Sequence, residues 1–168
     1  SDVGITIKAG QVYGLIGPNG AGKTTFFNVL TGLYTPDTGT FELGGQAYKP
    51  SAVHEVAKAG IARTFQVVKS FETMTVIDNV IVGALVRTTV MREARRKAYE
   101  VLEFAGLAGR ANVSAGELIP SEKRRLEVAR ALATEPKLLL LDEVLTGLTP
   151  IEAQTGVELV RKVRSTGV

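Results

Sequence analysis

The stretch that most constrains this chain is Gly17-Pro18-Asn19-Gly20-Ala21-Gly22-Lys23-Thr24-Thr25. It satisfies the pattern G-x-x-x-x-G-K-[ST] in full. Gln11 to Ile16 before it reads as a short apolar strand. Thr24 to Leu33 after it spaces Phe26, Phe27, Leu30 and Leu33 as a helix does. Glycines let a backbone wrap closely around an anion, where a Cβ would block both the conformation and the approach. The amides of residues 20–24 then converge at a helix N-terminus, where the helix dipole also favours negative charge. Lys23 is placed to reach the β- and γ-phosphates of a nucleotide, and the Thr24 hydroxyl to sit on Mg²⁺.

The rest of the composition excludes more than it adds. With 168 residues, 45% of them hydrophobic, the chain can bury one domain's core. It has no cysteine, which removes disulfides and thiolate metal sites. No apolar run is long enough to span a membrane, and Ser1 to Gly4 is no signal peptide, so a soluble cytosolic protein is expected. The net charge of +3 is spread along the chain and gives no reason to expect nucleic acid as a partner. The chain opens with an apparent strand already under way and ends just after a helix, so a domain trimmed at both ends is expected.

In order, Ile5–Lys8 and Gln11–Ile16 read as two strands joined at Ala9-Gly10, and Thr40–Leu43 as a strand ending at Gly44-Gly45. Residues 51–59 suggest a short helix carrying His54 on its exposed face, and 60–65 another strand. From Met74 the apolar period becomes helical, over Val76–Ala84, Ala94–Ala105 and Ser121–Thr134. Arg92, Arg95, Arg96 and Lys97 form the solvated face of the second of these helices; a partner's docking surface is the other reading. Leu138–Leu141 reads as a strand buried on both faces, as in a parallel sheet. Thr149-Pro150 with Glu152 marks the start of a last helix. The expectation is an α/β chain in three parts. Residues 1–73 hold an antiparallel β part and the phosphate-loop core, 74–134 a helical subdomain, and 135–168 a core strand and helix.

Asp142 and Glu143 close that strand and complement the loop. Asp142 would hold Mg²⁺ through water and Glu143 would polarise the attacking water, because a metal-bound carboxylate is a poor base. Gln66, at another strand end, can touch Mg²⁺ and sense the γ-phosphate with a neutral amide.

With these motifs in this order, the chain resembles an ABC transporter ATPase domain, a P-loop NTPase, from Ile5 to Val163. Within that family it is most similar to the ATP-binding subunits of bacterial branched-chain amino acid importers. Gly14–Thr25, Gly60-Ile-Ala-Arg-Thr-Phe-Gln66, Arg125–Ala133, Leu138–Glu143 and Gly147-Leu148-Thr149-Pro150 carry the resemblance. It implies ATP and Mg²⁺ as cofactors, with residues 17–25 on the nucleotide, Thr24, Gln66 and Asp142 on the metal, and Lys23, Gln66 and Glu143 in catalysis. It also implies a second ATPase subunit, with ATP sandwiched between the two chains, and permease subunits at the cytoplasmic face of a bacterial membrane.

Three departures qualify it. Where the family carries Leu-Ser-Gly-Gly-Gln or a near variant, this chain has Leu118-Ile119-Pro120-Ser121-Glu122. Ile119 lacks the hydroxyl, Pro120 has no amide hydrogen, and Ser121 replaces a glycine. That segment acts on the partner's nucleotide, so a heterodimer with one strong and one weak site is expected. Val144 replaces a proline after Glu143, a change expected to be tolerated. The family's switch histidine would fall on a strand beginning about where this sequence ends, and its adenine-stacking aromatic before Ser1; His54 is wrongly placed for the former. If both are cut off, the parent is an ordinary ATPase; if not, nucleotide binds poorly and is hydrolysed slowly. A non-hydrolysing or weakly hydrolysing regulatory subunit is therefore the alternative reading, and a DNA-maintenance ATPase of the same family a further one.

Overall fold

Most of the buried surface belongs to three helices whose apolar residues recur every three or four positions. In the computed structural model, which describes residues 3–49, 52–64, 70–142 and 149–168, α3 spans Val76–Ala84, α4 Met91–Phe104 and α5 Pro120–Ala133. Val76, Ile77, Val80, Leu102 and Leu126 are almost wholly buried in one cluster, with Ala84, Ala94, Ala98, Ala129 and Ala133 between them. Alanine and glycine on facing helices let the backbones approach closely: a Cβ added to Gly83 would overlap the Arg130 carbonyl oxygen. Thr75 caps α3 by accepting from the Asp78 amide at 3.2 Å. Asn79 is fully buried, and its amide donates to the carbonyls of Phe71 and Thr75 while its Oδ1 accepts from the Phe71 amide. The segment entering α3 is thereby fixed to it.

The remaining elements form a smaller core. α1 is Lys23–Leu30, β1 Phe41–Leu43, β2 Gln46–Tyr48, α2 Val53–Ala59, β3 Ile61–Arg63, β4 Leu138–Leu140 and α6 Pro150–Ser165. β1 and β2 pair antiparallel across Gly44-Gly45, both at positive φ, as a two-residue turn between strands requires. β3 and β4 pair parallel, with Ile61 opposite Leu138 and Arg63 opposite Leu140. Val56, Ile61 and Leu140 are buried together, and Phe27, Leu30, Leu43 and Tyr48 pack on them. Arg87, just beyond α3, donates to the carbonyls of Ala57, Lys58 and Thr134, and so ties the ends of α2 and α5 together.

Several expectations need correction. Ile5–Lys8 and Gln11–Ile16 are not strands: among the described residues no ladder pairs with them, and a strand exists only through its neighbour's hydrogen bonds. The segment turns where the Gln11 amide donates to the Lys8 carbonyl at 3.1 Å, and Ile16 is 96% exposed. α1 stops at Leu30, short of Leu33. Gly32 is left-handed (φ +71°), and the Gly32 and Leu33 amides return to the Val29 and Asn28 carbonyls, a helix-ending pair that also leaves Leu33 exposed. β2 was not expected after Gly44-Gly45. Leu138 and Leu139 are only half-buried, since β4 has one paired neighbour among the described residues. His54 is exposed, as expected, beside Glu55.

Candidate nucleotide site

The loop ahead of α1 is shaped by its glycines. Gly20 (φ +83°) and Gly22 (φ +90°) occupy the left-handed region, and a Cβ on Gly17 would stand 3.2 Å from that of Ala21. The Ala21 amide bonds back to the Pro18 carbonyl at 3.2 Å, which closes the turn. Gly22 offers α1 no side-chain cap, and no acidic residue lies in its first turn. The first helical bond runs from the Phe26 amide to the Gly22 carbonyl, so the amides of Lys23, Thr24 and Thr25 precede the ladder. That is where a helix binds an anion. Lys23 donates from Nζ to the carbonyls of Gly17 (2.6 Å) and Pro18 (2.9 Å), which keeps its ammonium on the loop. Thr24 is exposed on the first turn of α1.

Asp142 follows β4. Its amide donates to the Thr64 hydroxyl at 3.2 Å, and the Thr64 amide donates to the Leu140 carbonyl at 2.9 Å. Thr64 is fully buried, so the ends of the two parallel strands are pinned together. Arg63 Nη2 meets Asp142 Oδ2 at 2.9 Å, while its Nη1 donates to Asn28 Oδ1 at 2.6 Å. The guanidinium also lies over the Phe27 ring, 5.5 Å from its centroid. Arg63 therefore bridges Asp142 to the helix that carries the phosphate loop. Gln66 and Glu143 lie outside the described residues.

Arg63, Asn28 and Thr64 escaped the sequence reading. The parallel register that sets Arg63 opposite Leu140 puts Asp142 two residues further along, on the same side of the ladder. An arginine in a strand was visible; its neighbour was not.

At the start of α5, Leu118 is buried and Ile119 exposed. Glu122 reaches back to accept from the Ile119 amide at 3.2 Å, so a carboxylate already serves this N-terminus. Glu152 closes a capping box with Thr149 at the start of α6, accepting from the Thr149 amide at 2.9 Å and the Thr149 hydroxyl at 2.8 Å. These bonds hold the Glu152 carboxyl below the usual carboxylate range, the Thr149 amide contributing most. A cavity of about 100 Å³ between α5 and α6, lined by Val128, Leu141, Leu159 and Val163, takes no residue from the phosphate loop.

The residues present fit a magnesium nucleotide. The cradle is one a Cβ would narrow. Among the described residues no three carboxylates or histidines gather to cage a metal.

The ABC transporter family model matches residues 1–146. This chain belongs to the ABC transporter family. It is an ATP-binding cassette, and cassettes of this family catalyse ATP hydrolysis coupled to transport. The high-affinity branched-chain amino acid transport ATP-binding protein BraF of Pseudomonas aeruginosa is 40% identical over 97% of this chain and 70% of its own length. LivG of Escherichia coli, with the same description, is 38% identical over 98% and 71%. The lipopolysaccharide export protein LptB of Haemophilus influenzae is 34% identical over 100% and 70%. The ADP form of the ABC transporter cassette MJ1267 superposes with a TM-score of 0.84 at 30% identity, over 95% of this chain and 68% of that one. The dimeric cassette MJ0796 with ADP and phosphate gives 0.82 at 26% identity, over 97% and 74%. MJ0796 is dimeric in that post-hydrolysis structure, and the relatives named above are ATP-binding proteins of transport systems. Among the described residues no helix is long and apolar enough to cross a membrane.

Proposed function

We propose that this chain energises an importer of branched-chain or related amino acids from the cytoplasmic face of a bacterial membrane. The relatives at 38–40% identity over 97–98% of this chain are branched-chain amino acid transport proteins, whereas the export relatives stand at 34% over the whole chain or at 41% over 86% of it. The observation that carries the site reading is the Arg63 bridge, which ties the phosphate-loop helix to Asp142. In this reading the amides of residues 20–24 and Lys23 hold the phosphates, and Thr24, Gln66 and Asp142 hold Mg²⁺. The metal, when bound, neutralises charge on the β- and γ-phosphoryl oxygens. Glu143 takes the proton of the attacking water. Residues 1–73 and 135–168 serve as the nucleotide-binding core and 74–134 as a helical subdomain.

The partner subunit is a different chain. In support, Pro120 at the head of α5 has no amide hydrogen, Ile119 offers an exposed hydrocarbon side chain, and the Glu122 carboxylate occupies the Ile119 amide. An N-terminus so furnished is a poor donor set for a partner's γ-phosphate, and losing one such donor costs about 10²–10³ in rate.

The test is ATP hydrolysis by the full chain, alone and with its permease and a second ATPase subunit. Glu143→Gln should abolish turnover while ATP still binds. Rapid hydrolysis by the chain alone, with two equivalent sites, would sink the unequal pair. Absent turnover in the wild-type assembly, with ATP bound, would favour the regulatory subunit.

A further inference from the structure

Arg63 is the charged side chain of a short strand, yet it is almost wholly withdrawn from water, at 7% exposure, as is Asp142 at 14%. A buried ion pair is costly to desolvate and weak evidence for stability in itself. Here each end of the guanidinium is used. Nη2 takes Asp142 Oδ2 and Nη1 takes Asn28 Oδ1, while Phe27 lies under its face. Phe27 and Asn28 stand on adjacent positions of α1, about one turn after Lys23 and Thr24. A planar donor fork can fix two acceptors at once, which an ammonium on a flexible stem does not.

We propose that Arg63 is a positioning residue for the metal, acting through Asp142. It occupies Oδ2 and fixes the carboxylate plane relative to α1, which leaves Oδ1 to meet a metal-bound water. Asn28 completes the device by anchoring the guanidinium to the helix that carries Thr24. The carboxylate and the hydroxyl assigned to one Mg²⁺ come from elements more than 100 residues apart in sequence, and Arg63 supplies the rigid link between them. Removing a group that orients a metal ligand typically costs about 10–100-fold in metal affinity or activity. The inference rests on the assignment of Asp142 to Mg²⁺.

The test is binding of a fluorescent ATP analogue to the full chain, titrated with Mg²⁺. Metal-free affinity reads the phosphate loop, and the Mg²⁺ midpoint reads the metal contacts. In Arg63→Met the midpoint should rise by about ten-fold or more, while metal-free affinity stays within about two-fold. Arg63→Lys keeps the charge but not the fork and should fail to restore the midpoint. Asn28→Ala, which leaves the ion pair intact and guards against misfolding of the Arg63 variants, should shift it in the same direction. Combining Asn28→Ala with Arg63→Met should add little to Arg63→Met alone. A wild-type midpoint in a folded Arg63→Met, or in Asn28→Ala, would overturn the proposal. If Asp142→Asn also leaves the midpoint in place, the metal assignment itself is wrong; if it alone moves the midpoint, only the role of Arg63 is.

Discussion

Gly83 of α3 lies against the Arg130 carbonyl of α5 with no room for a methyl group between them. Helix propensity favours alanine over glycine by about 1 kcal/mol in a helix interior. Tertiary contact reverses that preference here, because the atom in the way belongs to backbone that cannot rotate aside. Gly83→Ala should destabilise the chain by about 1–3 kcal/mol, read as a lower denaturant midpoint. Gly109, where an added Cβ meets nothing within 4 Å, is the control and should change little. A raised midpoint for Gly83→Ala would refute this packing of α3 on α5.

Lys23 holds its ammonium 2.6 Å from the Gly17 carbonyl. Lys23→Ala should weaken ATP binding by about 1.5–3 kcal/mol, the ordinary worth of a charged hydrogen bond, in an equilibrium titration. Its circular dichroism should match the wild type, since the ammonium's hydrogen bonds go to the loop carbonyls of Gly17 and Pro18.

Arg87 gathers three carbonyls from the ends of α2 and α5. It is exposed, so water replaces part of what its removal loses. Arg87→Ala should still cost about 1–2 kcal/mol, and Arg87→Lys should recover less than half, because one ammonium cannot span the three acceptors. Chemical denaturation of the two variants checks this.

Glu152 is held below its usual carboxyl value of 4.5 by the Thr149 amide, the Thr149 hydroxyl and the Ser121 hydroxyl. A group whose folded value is depressed contributes stability above its unfolded value and loses it as pH falls through the folded one. The stability gap between the wild type and Glu152→Ala should therefore be full above pH 4.5 and close as the pH drops further. Thermal melts across that range read it directly; a gap that persists in acid would contradict the capping role.

The phosphate loop was legible residue by residue, because glycines at 17, 20 and 22 beside Lys23 and Thr24 are a local requirement of wrapping an anion. Helices α3 to α5 were legible too: burying a stripe of a helix demands a period that any sequence must show. The helix start at Thr149-Pro150 was equally local, and the capping box with Glu152 is where the spacing put it. The strands at 5–8 and 11–16 were not determined in this way. Alternation signals a strand only if a neighbour takes its hydrogen bonds, and among the described residues none does. The Arg63–Asp142–Asn28 bridge is the clearest case of what tertiary structure alone decided. Its members stand 35 and 79 residues apart in sequence, and nothing local makes an arginine at 63 answer to an aspartate at 142. Parallel pairing of β3 with β4 sets that register, and packing of α1 beside them brings Asn28 to the other end of the fork.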